Sequence, residues 1–194
     1  MSAKLFVYFA PMNAGKSAQL QMKAFGLEER KIPYIILKSS IDTRDGNAVI
    51  HSRPMGDMKC VIVKPSENIY KRISKEITER GKLKYILVDE AQFLKEKQVD
   101  QLSDIVDYLG INVICYSLKT DFKTKLFPGS KRLFEIGDGF EFIESICSCG
   151  EKNMFNARID KNGNVVTEGK QVEVGGEDKY TTMCRKCYKE KTKK

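Results

Sequence analysis

Residues 10–17 carry the side-chain types that bind a nucleoside triphosphate. They agree with the phosphate-loop pattern G-x-x-x-x-G-K-S/T at Gly15, Lys16 and Ser17, while Ala10 stands in the place of the first glycine. Such a loop wraps backbone N–H groups around phosphate oxygens at the start of a helix, so Lys16 is expected to reach the β- and γ-phosphates and Ser17 to bind Mg²⁺. An ordinary strand-to-helix turn is the alternative. The apolar run before the loop and the helical pattern after it favour phosphate binding.

A pair of acidic residues, Asp89 and Glu90, ends a second apolar run, YILV. An acid at the carboxyl end of a strand beside a phosphate loop approaches Mg²⁺, which is the role predicted for Asp89. Glu90 is then available to orient a hydroxyl acceptor and take its proton. The alternative is a pair of acids that only stabilises the start of a helix. The phosphate loop upstream favours the nucleotide interpretation.

Two close cysteine pairs, Cys147 with Cys149 and Cys184 with Cys187, predict a zinc site. Four thiolates in two pairs suit tetrahedral Zn²⁺, and a site in which every ligand comes from the protein is structural. A redox dithiol is the alternative, although nothing resembling a thioredoxin surrounds the pairs. The remaining cysteines, Cys60 and Cys115, lie within apolar runs and are expected to be buried.

The elements that must position these residues alternate between strand and helix. Apolar runs predict strands at residues 4–10, 34–38, 60–63, 85–88 and 113–116. Helical spacing predicts helices at residues 17–30, 66–80 and 94–109, and the polar stretch 42–57 is expected to be a loop. Strands that alternate with helices predict an α/β fold, a P-loop-type parallel sheet with helices on both faces.

The pattern changes after about residue 140. Alternating residues flank Asn162-Gly163, a strong signal for a hairpin turn, and the cysteine pairs lie on either side. We therefore predict an ATP-binding α/β domain at residues 1–140 and a small β-rich zinc-binding domain at residues 141–190.

Composition narrows the class of protein. The chain has 194 residues and a formal charge of +8, and much of the excess lies in a lysine-rich tail that is expected to be a frayed end. No apolar run approaches the ~20 residues that span a bilayer, and the N-terminus does not have the pattern of a secretory signal. A cytoplasmic location is expected, with neither a membrane nor a nucleic acid as partner.

Five motifs in this order resemble the cytosolic, zinc-containing type of thymidine kinase over about residues 5–188. They are PMNAGKS, VDEAQF, YSLKTDF, LFPGS and the ending GGxxxYxxxCRKCY. The resemblance implies transfer of the γ-phosphate of ATP to the 5′-hydroxyl of thymidine, with deoxyuridine as a further acceptor. It also implies a homotetramer, feedback inhibition by dTTP, Mg²⁺ bound with ATP, and a structural Zn²⁺.

The resemblance further implies a role for each matching residue, with Glu90 as the catalytic base. The implied ATP-binding residues are Ala10, Pro11, Met12, Asn13, Ala14, Gly15, Lys16, Ser17, Asp89, Glu90, Ala91 and Gln92. The implied nucleoside-binding residues are Met12, Leu118, Phe122, Asn156, Tyr180 and a lasso loop of Gln171, Val172, Glu173, Val174 and Gly175. The implied metal ligands are Cys147, Cys149, Cys184 and Cys187 for zinc, and Ser17 and Asp89 for magnesium.

Two residues depart from the family pattern. Ala10 replaces a glycine, and Ser117 stands where Tyr-Gly-Leu is usual, so a positive φ at that position would strain the serine. Arg53 and Arg44 are candidates to assist phosphate transfer, and His51 is expected to be a surface residue without a partner.

Two other classes of function stay open at this point. The sequence Asp-Glu-Ala-Gln is also typical of helicase-type ATPases, so a nucleic-acid-stimulated P-loop ATPase is one alternative. A non-catalytic zinc-binding interaction protein is the other. One sheet within 194 residues cannot supply the two nucleotide-cleft domains of a helicase.

Overall fold

The computed structural model describes residues 2–42, 48–172 and 179–192. Its strands are β1 (Leu5–Ala10), β2 (Tyr34–Ser39), β3 (Val49–Ser52), β4 (Gly56–Lys59), β5 (Val61–Val63), β6 (Tyr85–Asp89), β7 (Asn112–Leu118), β8 (Gly139–Phe142), β9 (Phe155–Ile159), β10 (Val165–Val166) and β11 (Tyr180–Met183). Its helices are α1 (Lys16–Glu29), α2 (Ile69–Arg80), α3 (Glu96–Leu109), α4 (Pro128–Ile136) and α5 (Arg185–Thr192), with a 3₁₀ turn at Ala91–Phe93.

The main sheet is parallel and has six strands in the order β5-β2-β6-β7-β1-β8. The predicted fold class is confirmed, and the five predicted strands and three predicted helices are present with shifted ends. The sequence analysis missed the edge strand β8 because its residues, Gly-Phe-Glu-Phe, are largely exposed and form no apolar run. It also missed α4, whose Pro-Gly start is typical of a turn but places proline in the first turn of the helix.

Successive residues of the central strands point to opposite faces of the sheet and belong to two apolar clusters. On β6, Ile86 and Val88 pack with α2 and α3, whereas Leu87 packs against α1. On β7, Val113 packs on the same face as α2 and α3, and Ile114 packs on the face of α1. This alternation explains why the strands are apolar throughout, since helices cover both faces.

The expected loop at residues 42–57 is corrected in part. Within the described residues of this stretch, β3 and β4 form an antiparallel hairpin in which Val49 pairs with Lys59. The hairpin rests on α1 through Gln21, whose side-chain amide donates to the carbonyl oxygens of Ile50 (3.1 Å) and Gly56 (2.9 Å). The sequence analysis missed this hairpin because its short strands mix apolar and polar residues, pair with each other and stay outside the main sheet.

The second part of the chain contains a three-stranded antiparallel sheet in the order β10-β9-β11. The predicted hairpin turn at Asn162-Gly163 is confirmed between β9 and β10, and β10 ends at Val166. The lysine-rich tail was expected to be frayed, but residues 185–192 form α5 because this segment packs on the small sheet. The division at residue 140 stays a prediction, and β8 lies across it.

The carboxyl ends of β1, β2, β6 and β7 lie at one edge of the main sheet, since these strands are parallel neighbours. This edge carries the phosphate loop after β1 and the acidic pair after β6. Within the described ranges, no helix is both long enough and apolar enough to span a bilayer.

Candidate active site

The loop between β1 and α1 has the backbone of an anion-binding turn. Gly15 adopts a left-handed φ of 83°, a conformation that glycine enters without steric cost, and Asn13 has a φ of 58°. Lys16 begins α1 and is 6% exposed. Its ammonium group lies 3.3 Å from the carbonyl oxygen of Pro11, so the lysine folds across its own loop. A cation and a helix N-terminus therefore lie together at the end of β1.

A cavity opens beside this loop, and we call it the phosphate cavity. The residues that line it on the loop side are Met12, Asn13, Gly15, Lys16, Ser17 and Ala18. The hairpin supplies the opposite wall with His51, Ser52, Arg53 and Pro54. Arg53 thus lies where the sequence analysis expected a helper, whereas Arg44 lies outside the described residues. His51 is exposed as expected, but it has a partner, since its Nδ1 lies 2.7 Å from Asp57 Oδ1.

Asp89 is buried at the end of β6, and its carboxylate is suited to bind a cation. Burial, and then the neighbouring Glu90 carboxylate, raise the pKa of Asp89 to about 7, against the opposing charges of Lys16 and Lys38. Its Oδ1 atom is buried and has no hydrogen-bond partner among the described residues. A buried carboxylate oxygen without a partner is costly. A Mg²⁺ ion near the phosphates would remove that cost, so the residues present fit the metal.

Glu90 occupies the turn that follows β6. Its backbone is left-handed, with a φ of 51°, which is uncommon for a residue with a side chain and clusters at functional sites. The side chain is 6% exposed, and one carboxylate oxygen accepts a hydrogen bond from the side-chain amide of Gln92. Glu90 lines the phosphate cavity and a second cavity as well. Glu90 therefore lies at the junction of the two.

We call the second cavity the nucleoside cavity, after the residues predicted to bind there. The predicted nucleoside-binding residues that line it are Met12, Leu118, Phe122, Asn156, Gln171, Val172 and Tyr180. The other three lasso residues, Glu173, Val174 and Gly175, lie outside the described residues. The structure thus brings together side chains from the phosphate loop, the end of β7 and the part of the chain after β8, which we call the small domain.

The small domain reaches the main sheet through side-chain hydrogen bonds. Asn156 on β9 accepts a hydrogen bond from the backbone N–H of Met12 (2.7 Å) and donates to the carbonyl oxygen of Thr120 (3.2 Å). Gln171 donates to Asp121 Oδ2 at 2.9 Å. Tyr188 on α5 donates its hydroxyl to the carbonyl oxygen of Phe122 at 2.6 Å. These contacts hold the loop after β7 against the small domain.

The four paired cysteines form one cluster. Their sulfur atoms all lie within 4.8 Å of one another, and Cys149 and Cys184 are 3.6 Å apart. Zn–S bonds of ~2.3 Å in a tetrahedron place sulfur atoms ~3.8 Å apart, so the spacing fits Zn²⁺.

The charges in the cluster point to the same ion. Backbone N–H groups of Cys149 and Cys184 lower the pKa of Cys147 to about 6, and the neighbouring thiols raise that of Cys187 to about 12. Four thiolates cannot coexist at neutral pH without a cation, which a bound metal provides.

Comparison with known proteins decides the family. The model of the family described as "Thymidine kinase" matches residues 3–188. A thymidine kinase of Mannheimia succiniciproducens is 40% identical over 192 residues, covering 99% of this chain and 98% of that protein. A thymidine kinase of Haemophilus influenzae is 41% identical over 189 residues, covering 97% of each. The chain belongs to the thymidine kinase family.

The activity follows from the family. The chain has thymidine kinase activity, with thymidine and ATP as its substrates. Among solved structures, the genome packaging NTPase B204 of Sulfolobus turreted icosahedral virus 2 matches with 13% identity and a TM-score of 0.48, covering 77% of this chain and 78% of that one. A likeness at that level adds nothing to the assignment.

Several residues of this thymidine kinase line the nucleoside cavity although the sequence analysis missed them. They are Asp42, Phe93, Thr120, Asp121 and Phe127. Asp42 forms a buried ion pair with Lys38 at 3.3 Å. Lys38 interrupts the apolar strand β2, and that isolated charge is the signal that could have identified the pair.

The ATP-binding residues implied by the family resemblance do not all line the phosphate cavity. Ala10 and Pro11 instead line a third cavity beside Phe142. Ala14, Asp89, Ala91 and Gln92 are not among the residues that line the phosphate or the nucleoside cavity. Asp89, Ala91 and Gln92 are buried.

The departure at Ser117 causes no strain. Ser117 lies within β7, and it is not among the described residues that have a positive φ. Its side chain is fully buried, and its hydroxyl donates to the carbonyl oxygen of Leu118 at 3.0 Å. A serine is therefore accommodated at this position without backbone strain.

Proposed function

We propose that this enzyme transfers the γ-phosphate of ATP to the 5′-hydroxyl of thymidine to give dTMP, with Glu90 as the catalytic base. One observation carries the proposal: Glu90 lines both the phosphate cavity and the nucleoside cavity. A carboxylate at this junction touches the acceptor hydroxyl while the triphosphate lies on the other side. Deoxyuridine, which lacks only the 5-methyl group, would be a second acceptor.

On the phosphate side, the chain supplies positive charge and backbone donors. Lys16 and the backbone N–H groups of residues 13–17 bind the phosphate oxygens, and Arg53 approaches from the hairpin. Ser17 and Asp89 would hold the Mg²⁺ that accompanies ATP. When bound, this ion neutralises charge on the phosphates. Ala91 and Gln92, which follow the acidic pair in the chain and are buried, would hold Asp89 and Glu90 in place.

On the nucleoside side, the cavity offers aromatic surface and a few polar groups. Phe93, Phe122 and Phe127 suit a flat pyrimidine, and Tyr180 closes the side formed by the small domain. Gln171 and Val172, together with Glu173, Val174 and Gly175, would present backbone groups to the edge of thymine. Cytosine would meet those groups with the wrong donors and acceptors, which leaves buried groups unpaired.

Glu90 performs the proton chemistry. Its carboxylate accepts a hydrogen bond from the 5′-hydroxyl and so directs that oxygen at the γ-phosphate. As the new O–P bond forms, the carboxylate takes the proton and the bond to ADP breaks. Phosphoryl transfer needs chiefly such positioning and charge stabilisation.

The cysteine cluster has a structural part in this proposal. One Zn²⁺ would be bound by Cys147, Cys149, Cys184 and Cys187. The bound ion would stabilise the small domain and so the positions of Asn156 and Tyr180. All four ligands are protein side chains, so no coordination position remains for chemistry.

Feedback inhibition by dTTP is supported by the shared walls of the cavities. Met12, Glu90 and Leu118 line both cavities, so thymine and a triphosphate on one molecule could occupy both. Such an inhibitor competes with both substrates.

A homotetramer is supported by two separate exposed apolar faces. Met22 (63% exposed) and Phe25 (56%) lie on α1, while Phe140 (38%) and Phe142 (54%) lie on the edge strand β8. A tetramer with dihedral symmetry uses different self-complementary faces. The six cysteines, all within the described residues, form no disulfide bond, which suits a reducing, cytoplasmic location. Neither nucleic acid nor a membrane is part of the proposal.

The test is dTMP formation from thymidine and MgATP without polynucleotide, in wild type and in Glu90→Gln. We expect kcat to fall by about 10²- to 10⁴-fold, because the acceptor loses its base. Equilibrium binding of both substrates should persist. The matched control is Glu96→Gln, at an exposed acid at the start of α3. Equal dTMP yield from wild type and Glu90→Gln would remove Glu90 from its role.

A further inference from the structure

Gln92 makes a bridge between the two strands that form the site. It lies in the 3₁₀ turn Ala91–Phe93 and is 1% exposed. Its Nε2 donates to Glu90 Oε2, and its Oε1 accepts a hydrogen bond from the backbone N–H of Leu118 at 2.9 Å. The orientation of the amide is fixed by chemistry. The Leu118 N–H needs an oxygen acceptor, so the NH₂ group must face the carboxylate.

The bridge joins the carboxylate to a fixed point. Leu118 is the last residue of β7, and it lines both cavities together with Glu90. The Glu90 backbone has the left-handed φ of 51°, a conformation that persists only when surrounding contacts hold it. A side chain of glutamine length spans from the carboxylate to β7.

The far side of the bridge is held by two buried serines. Ser130 Oγ donates to the carbonyl oxygen of Leu118 at 2.6 Å, and Ser117 Oγ lies 3.2 Å from Ser130 Oγ. Both serines are 0% exposed. The end of β7 is thus fixed to the start of α4 by hydroxyl groups.

Helix α4 also presses on the turn that carries Glu90. A Cβ atom at Gly129 would lie 2.7 Å from the carbonyl oxygens of both Ala91 and Leu94, closer than real Cβ atoms come. Glycine is therefore required for this contact. The turn is enclosed between β7 and α4, and within it the Gln92 side chain touches the carboxylate.

We propose that Gln92 is a positioning residue that holds the Glu90 carboxylate, through its side-chain amide, at a fixed distance from the end of β7. The inference rests on the proposed role of Glu90 as the base. Gln92 lines neither cavity, so its loss should disorder the carboxylate without removing a contact to either substrate. A misplaced catalytic group lowers the rate of the chemical step and leaves binding in place.

The experiment compares Gln92→Met with Gln92→Glu. Methionine has a similar length and forms neither hydrogen bond. Glutamate keeps an acceptor for the Leu118 N–H, but it offers no amide N–H to Glu90 and adds a second carboxyl group beside that carboxylate. Both variants should lose about tenfold or more in kcat for dTMP formation, while the dissociation constants of thymidine and MgATP stay within about twofold of wild type.

The matched control is Gln101→Met. Gln101 is also a buried glutamine with a backbone partner, since its Oε1 accepts from the N–H of Ile69 at 2.9 Å, but it lies on α3 and lines neither cavity. This variant should lower the melting temperature and keep kcat.

Two outcomes would overturn the inference. One is a folded Gln92→Glu enzyme with a kcat within about twofold of wild type. The other is a Gln92→Met enzyme that changes only in melting temperature, as the Gln101 control does. If either occurs while Glu90→Gln is inactive, the positioning role fails and the proposed function stands. An active Glu90→Gln enzyme would instead contradict the proposed function itself.

Discussion

The main sheet and the small domain are stabilised by different means. Two apolar clusters cover both faces of the sheet, with fully buried residues such as Leu37, Leu87 and Leu102. The buried cluster of the small domain consists of Cys147, Ala157, Met183 and Cys184, and two of these are thiols of the cysteine site. Below about 70–80 residues a core of this kind rarely suffices, and a metal commonly adds the missing stability.

The difference teaches where the enzyme is vulnerable. The phosphate loop lies on the sheet, so its shape depends on apolar burial. The nucleoside cavity takes Asn156, Gln171 and Tyr180 from the small domain, so it depends on the cysteine cluster and on a few hydrogen bonds. Three substitutions should therefore give graded losses in thymidine binding. The first breaks the cysteine cluster, the second removes the two hydrogen bonds of the Asn156 side chain, and the third removes the hydrogen bond of the Tyr188 hydroxyl.

The largest effect is expected from Cys184→Ser. Wild type should bind about one zinc ion per chain, and this variant close to none, because a tetrahedral site needs its fourth thiolate. Structural zinc contributes on the order of 10 kcal/mol in small domains, so the small domain should unfold. KM for thymidine should rise at least tenfold, as measured beside the zinc content by atomic absorption.

The control for this prediction is Cys60→Ser. Cys60 is buried against the α1 side of the sheet and lies outside the cluster. The Cys60→Ser variant should have a somewhat lower free energy of unfolding and should keep its zinc. Full zinc content in Cys184→Ser would contradict the assigned ligand set.

The next effect is expected from Asn156→Ala, which removes the link between the phosphate loop and the loop after β7. The Met12 N–H and the Thr120 carbonyl would lose their partner. Leaving these groups unpaired should cost about 1–2 kcal/mol, so KM for both thymidine and MgATP should rise roughly 5- to 30-fold. Steady-state kinetics with each substrate varied in turn measures this.

Asn153→Ala is the matched control for that link. Asn153 lies just before β9, and its amide donates to Ser145 and Thr182, both outside the main sheet. If this variant raised both KM values as much as Asn156→Ala, the effect would belong to the small domain in general.

The smallest effect is expected from Tyr188→Phe. The variant loses one hydrogen bond, from the hydroxyl to the Phe122 carbonyl, and keeps the ring that packs on Phe155. A net cost of about 0.5–1.5 kcal/mol predicts a rise of a few-fold in KM for thymidine, with zinc content unchanged. Tyr108→Phe, at an exposed position on α3, should change neither value. An unchanged thymidine KM in Tyr188→Phe would show that α5 does not support the nucleoside cavity.

The sequence predicted those parts of the site that depend on local pattern. The phosphate loop, the acidic end of β6 and the paired cysteines each have a spacing that chemistry requires. The central strands followed from uninterrupted apolar runs. The hairpin of β3 and β4, the edge strand β8 and helix α4 were missed, because polar or glycine-containing segments become regular only where neighbouring chain supplies their partners.

The same limit applies to individual residues. Nothing near Asn156 in sequence indicates that its amide joins Met12 to Thr120, since both partners are distant along the chain. Lys38 and Asp42 were missed for the opposite reason, because their ion pair is local but joins a predicted strand to a predicted loop to which no function was assigned.

By itself, the sequence determined the chemistry of this thymidine kinase: a lysine in a phosphate loop, a carboxylate pair after a buried strand, and four thiols with metal spacing. Local spacing suffices for these, because each group acts through its immediate neighbours. The tertiary structure alone decided that Glu90 lies between two cavities and that Gln92 ties it to Leu118. Those distances depend on strand order and helix packing, which bring together residues that no local pattern connects.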